Sequence, residues 1–279
     1  MKHRFLRISL STVVAIASGV VLPLLAQGQK TGPPDLSGMW NGGAGARGAT
    51  EDNGDIIANF PSRRCAPNQK GCGDQTNQTV DGEFTGRMNP NRPLYKPEFW
   101  DKVQDLDSNT NTLDPLFKCQ PYGVPRVGPP TKIVQTASEV IFLYAAAGAG
   151  TQPNDFRIIP ADGRGHDPVR SQDVSFYGDS VAHWEGDTLV VDSVGFNDIT
   201  WLDRGGYFHT DNMHVIEKLR RDGDTLHYQV TVEDPGVLLE PWVLTPRILK
   251  LNTDRKATIR EGDPCRDVDF ENMVSKIRH

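Results

Sequence analysis

The stretch HTDNMHVIE, residues 209–217, brings His209, Asp211, His214 and Glu217 into nine positions. Side chains of these types hold metals or move protons near neutral pH. Local structure decides which. Val215 and Ile216 favour a strand. On a strand over 209–219, His209, Asp211, Met213, Val215, Glu217 and Leu219 share one face, and Asn212, His214, Ile216 and Lys218 the other. The first face carries the apolar residues and is the expected core face. His214 is then a surface histidine beside Lys218. His209 and Glu217 would stand roughly 27 Å apart, too far to share a metal or a substrate atom. His209 and Asp211 would be only ~7 Å apart and able to cooperate. On a helix, Asp211, His214 and Glu217 would instead recur at i, i+3 and i+6 and form a metal site. Glu217 on an apolar face calls for an interior arginine as ion-pair partner, or for the role of general acid or base.

Two connections add to this set. GFNDITWLDRGGYFHTD mixes Phe196, Trp201, Tyr207 and Phe208 with Asp203, Arg204 and His209, with a period of neither 2 nor 3.6. It reads either as a lid over a barrel mouth or as a loop that packs its aromatics to close the barrel. ADGRGHDP follows the strand DFRII and carries Arg164, His166 and Asp167. If both loops reach one mouth, His166 and His209 meet Asp203 or Asp211. That makes an acid–base pair or a set of metal ligands. His183 and His227 carry no signal of their own. No G-x-S-x-G, G-x-x-x-x-G-K or G-x-G-x-x-G motif is present.

The elements that must position these groups are short strands. TKIVQT, EVIFLYAA, DFRIIP, DTLVVDSVGF, MHVIEKL, DTLHYQVTV, RILKL and KATIRE are separated by turn signals, with no helical pattern of ten or more residues between them. WEGDTLVV and RDGDTLHY look like one hairpin corner used twice. The expected fold is all-β: an antiparallel meander closing into a lipocalin- or calycin-like barrel, or into a two-sheet sandwich. Residues 131–279 form that domain. Residues 29–130, rich in Gly, Pro, Asn and Asp but also in aromatics, form a loop-rich segment packed on it, with a short helix after Pro97. Residues 1–28, basic and then apolar up to Ala26-Gln27-Gly28, read as a signal peptide. The protein is therefore expected to be secreted or periplasmic.

The chain has 279 residues and a formal charge of −6, which becomes −9 without Lys2, Arg4 and Arg7. An acidic chain with no basic run argues against nucleic acid and anionic membranes as partners, and no stretch past the leader is apolar enough to span a membrane. Cys65, Cys72, Cys119 and Cys265 suit two disulfides, with three pairings open.

The combination DGRGH, WEGDTLVVD, TWLDRGGYFHTD and HVIEKLRR…DTLHYQVTVEDP resembles a family of secreted bacterial proteins of unknown function that share DGR-x-H, WEGDTLVVD and VTVEDP stretches. The likeness covers residues 119–265. Where that pattern usually shows His-Pro after the DGR, this chain has Gly165-His166-Asp167-Pro168, a shift of one residue. The resemblance implies export and no particular activity. Gly38-x-Trp40 also resembles the three-residue start of lipocalins.

The leading functional expectation is an exported lyase, hydratase or isomerase working on a small organic substrate at a barrel mouth. His209 and His166 would transfer protons, with Asp203, Asp211 or Glu217 as carboxylate partners. Arg164 would hold an anionic or hydroxylated group, and Trp184, Trp201, Tyr207 and Phe208 would wall the site. No cofactor is expected. Two alternatives stand: a non-catalytic, lipocalin-like binder of a hydrophobic ligand, and a hydrolase or lyase with a divalent metal on His166 and His209.

Overall fold

Alternation of buried and exposed side chains along short strands builds this structure. The computed structural model describes residues 32–41, 79–80, 83–84, 93–145, 154–203, 205–244 and 246–262. The described residues from Pro33 onward belong to one compact unit. Residues 1–28, expected to be a signal peptide, the segment around Cys65 and Cys72, Arg204 and Cys265 lie outside the described residues.

The strands are β1 (Gly38–Asn41), β2 (Thr79–Val80), β3 (Glu83–Phe84), β4 (Lys132–Gln135), β5 (Glu139–Tyr144), β6 (Asp155–Pro160), β7 (Asp179–Glu185), β8 (Thr188–Val194), β9 (His214–Asp222), β10 (Thr225–Glu233), β11 (Trp242–Val243) and β12 (Arg247–Leu251). Nine of them follow one another as β6-β5-β4-β1-β12-β10-β9-β8-β7, every neighbouring pair antiparallel, and the row curls into a nearly closed barrel. β11 pairs β10 off this path, and β2 and β3 form a separate hairpin. The all-β barrel is thus as expected, and the sandwich alternative falls away. The KATIRE stretch forms no strand, and β7, which begins well before the WEGD corner, is the additional one.

The twin corners are hairpins of equal build. Glu185 pairs Thr188 across Gly186-Asp187, and Asp222 pairs Thr225 across Gly223-Asp224. Gly186 and Gly223 lie at φ 63° and 56°. A two-residue turn that twists with its strands needs φ > 0 at its first position, which glycine adopts without strain.

Period 2 then decides the core. Val140, Phe142, Ile159, Leu189, Val191, Val215, Leu219, Leu226, Val230 and Leu249 face inward and are buried, with Trp40 from β1. Helix α1 (Trp100–Ser108), entered through a 3-10 turn at Pro97–Phe99, and helix α2 (Thr110–Leu113) lie in the N-terminal segment. This segment packs on the 196–213 loop: Tyr95 stacks on Tyr207 and Phe208, and its hydroxyl donates to the Phe208 carbonyl. Cys119 takes part in a disulfide.

One seam stays without a ladder. Nine strands alternating in direction leave the two ends of the row, β6 and β7, pointing the same way, so no tight hairpin can join them. The segment 161–178 links them instead. Arg157 on β6 spans the seam from inside. Its Nη1 donates to Glu217 Oε2 of β9 at 2.5 Å and to the Tyr144 hydroxyl at 3.3 Å, and its Nη2 to Ser180 and Ser193 at 2.8 and 3.0 Å. Tyr228 donates to the other Glu217 oxygen at 2.9 Å. Glu217 therefore has an interior arginine, the first of the two readings its place on an apolar face allowed. Burial raises the phenol pKa of both Tyr144 and Tyr228, keeping them protonated donors.

Removing one partner of a fully buried ion pair strands the other charge, at a cost of about 3–5 kcal/mol. Arg157→Met is therefore expected to lower the urea midpoint steeply, and Arg157→Met with Glu217→Leu to recover most of the loss. Equal midpoints for the single and double variants would show that the pair does not hold the seam.

Candidate functional site

The chemistry-bearing side chains gather on the outer wall beside the seam. β7 and β8 each contribute an Asp-Ser pair, Asp179-Ser180 and Asp192-Ser193. The two serines are opposite each other in register and point inward to Arg157. The aspartates consequently point outward. His166 of the 161–178 link lies between them, Nδ1 at 3.0 Å from Asp179 Oδ2 and Nε2 at 2.8 Å from Asp192 Oδ1. The other Asp192 oxygen is 3.0 Å from His214 Nε2, and His214 Nδ1 is 3.1 Å from Glu233 Oε2. Ser171 also donates to Asp179 Oδ2, at 3.2 Å. The result is an unbroken surface chain: Asp179, His166, Asp192, His214, Glu233.

All four ring nitrogens face carboxylate oxygens. A neutral imidazole has one donor and one acceptor, so only imidazolium satisfies two such partners. The hydrogen bond with Asp192 comes first among the causes that raise the His214 pKa, and burial only partly opposes it. For Asp192 burial is the largest influence and acts upward, but hydrogen bonds from His214 and His166 together outweigh it and leave the carboxyl below its usual range.

A cavity of about 320 Å³ opens at the same seam, lined by Phe156, Arg157, Ile158, Arg170, Tyr177 and Asp179 among others. Asp179 thus faces two ways. One oxygen holds His166 and Ser171, and the residue is also part of the cavity lining.

The structure separates the two histidines expected to act together. The strand begins at His214, so residues 209–213 are turn and loop rather than strand. His209 is 2% exposed, with Nε2 accepting from Thr200 Oγ1 at 2.8 Å and Nδ1 donating to the Thr210 carbonyl at 3.0 Å. Its partners are two threonines, and neither Asp203 nor Asp211 bonds it. Asp211 is exposed and accepts from Asn212; Asp203 is half-buried. Arg164 is exposed and bound to Asp162 in its own turn. Trp201, Tyr207 and Phe208 are buried, packing the 196–213 loop onto the barrel, and Trp184 is partly buried against the core. Among the described residues no three His, Cys, Asp or Glu side chains converge on one point suited to a metal, and none of their helices is long and apolar enough to cross a membrane.

The residues overlooked are Asp179, Asp192, His214 and Glu233. One signal was present: the Gly223-Asp224 turn sets a register that places His214 opposite Glu233. In comparisons with known proteins, no family model, curated protein or solved structure matches the chain.

Burial is the main cause that lowers the His209 pKa, with the Thr210 carbonyl and Asp234 and Asp198 opposing it. The unfolded chain therefore takes up this proton first as pH drops. The stability it contributes is complete above the unfolded value near 6.5 and is lost as pH falls through the folded one. His209→Gln is expected to flatten the fall of the urea midpoint as pH drops below about 6.5. An unchanged slope would show that the proton is taken up elsewhere.

Proposed function

We propose that the protein is an exported enzyme, secreted or periplasmic, that moves protons on a small organic substrate in the seam cavity. The reaction is of the lyase, hydratase or isomerase kind. One observation carries the reading: Asp179 borders the cavity while His166 holds its Oδ2 and leads, through Asp192 and His214, to solvent-exposed Glu233. A carboxylate at a cavity wall takes a proton from a substrate or returns one, and an adjoining imidazole resets it. His166 keeps the proton-transfer role expected of it, and Asp179 takes the carboxylate role assigned to Asp203, Asp211 or Glu217. Arg170, at the cavity rim, takes over from Arg164 as the group facing an anionic or hydroxylated substrate.

The polar lining of the cavity supports this reading over a binder of hydrophobic ligands, since such sites are lined mainly by apolar side chains. Nor do His166 and His209 share a position from which both would hold a metal: their ring nitrogens face different partners.

Proton transfer can be followed before the natural substrate is known. The purified protein is incubated in deuterium oxide with a panel of small hydroxy acids, keto acids and aldoses, and deuterium incorporation is read by mass. At least one compound is expected to exchange, with a loss of about 10²-fold or more in Asp179→Asn. If none exchanges, and the compounds the protein retains are the same with Asp179→Asn, the cavity binds without catalysis.

A further inference from the structure

The 161–178 link is fastened to the barrel in an uneven way. Ala161 donates to Ser138 at its start, and Ser175 is bonded to Gly195 and Asn197 at its end. Ser171 is pressed close to the wall, where a β-carbon at Gly195 would stand 2.7 Å from the Ser171 carbonyl oxygen. From Asp162 to Arg170 the hydrogen bonds run within the link: Arg164 to Asp162, and Val169, Arg170 and Ser171 to Asp167. His166 is the exception, and both of its bonds go to the barrel wall. The same stretch exposes Val169 by 76%, so no apolar burial holds it there instead.

We propose that His166 is a protonation-controlled latch that pins residues 162–170 over the seam and, by letting them go, changes access to the cavity beside Arg170. The groups that face it decide its direction. β7 presents Asp179, β8 presents Asp192, β9 presents His214 and β10 presents Glu233; the link itself adds Asp167 and Arg170, neither bonded to the ring. With both rings protonated, two positive and three negative charges alternate and every nitrogen donates. With both neutral, three carboxylates remain side by side, and one nitrogen of each ring turns a lone pair on a carboxylate oxygen. Asp192 accepts from both rings and so links them.

Geometry fixes the sign: only a protonated His166 donates to both Asp179 and Asp192, and the elevated pKa of His214 on the shared Asp192 acts in the same direction. A raised folded pKa gives stability that is complete below the unfolded value and is lost as pH rises through the folded one. The latch is thus shut at lower pH and opens as pH rises. This inference does not depend on the catalytic reading, since it concerns the protein without substrate.

Hydrogen exchange of the ligand-free protein, corrected for the intrinsic rate at each pH, tests it. Protection of amides 163–171 is expected to fall about tenfold or more as pH rises from about 6 to 9, while β5 and β10 amides keep theirs. In His166→Gln, which cannot take on charge, the segment should be poorly protected throughout, with no pH step. His214→Gln should retain the pin and shift the step to higher pH, because Asp192 then serves one ring and no second imidazolium opposes its charge. The proposal is overturned if wild-type protection is level across the range, or if His166→Gln shows the same step. Because the readout needs no turnover, failure of the deuterium wash-in would leave this result standing, and the reverse holds too.

Discussion

A charged pair in the middle of the barrel sets the terms for everything around it. Arg157 and Glu217 are taken out of water together, and neither survives there alone. Their placement follows from period 2 on β6 and β9, which turns both inward among Val, Leu and Phe. Such a pair is poor at adding net stability compared with a well-packed apolar substitute, but it is highly directional. Five side chains from five strands must hold their rotamers to satisfy it: Tyr144, Ser180, Ser193, Glu217 and Tyr228. The arginine therefore supplies, through side chains, the alignment that backbone bonds cannot supply where the first and last strands run the same way.

The inner tie and the outer chain share their anchors. Asp179-Ser180 and Asp192-Ser193 are two Asp-Ser steps facing each other across one hairpin. Each serine contacts Arg157 inside, and each aspartate contacts His166 outside. A shift of β7 against β8 by one residue would turn the β7 pair over and take Ser180 from Arg157 and Asp179 from His166 at once. The same wall thus couples the interior ion pair to the surface imidazoles without any direct contact between them.

Much of the barrel was legible because its determinants are local. Gly-Asp turns, strand-length runs of β-branched residues and inward-facing positions all show within a few residues of themselves. Glu217 on an apolar face announced either an interior arginine or a proton-transfer role, and nothing in the sequence singled out Arg157. The site was less legible because long connections intervene. Residues 161–178 and 195–213 break the register that would otherwise bring His166 and His214 to Asp192. His209 was misread because its neighbours Thr210 to Met213 continue the alternation of β9 past the point where the chain turns away. His214 was set aside as a surface residue, and it is one; its importance comes from Glu233 opposite and Asp192 diagonal to it.

The position of β1 has a consequence for how such a chain reaches its final form. Trp40 pairs Leu251, and Met39 pairs Lys132, so the first strand fills the gap between the last strand and the first member of the meander. Those partners lie about 210 and 90 residues away, which makes the β1–β12 pairing among the most non-local in the molecule and entropically late. The hairpins from β4 to β10 can form as neighbours. The strand that is synthesised first is left waiting with Trp40 unburied until β12 exists to receive it. A chain built this way has a long interval in which an apolar edge is open, and its exposure to wrong partners is set by the time needed to complete its C-terminal end.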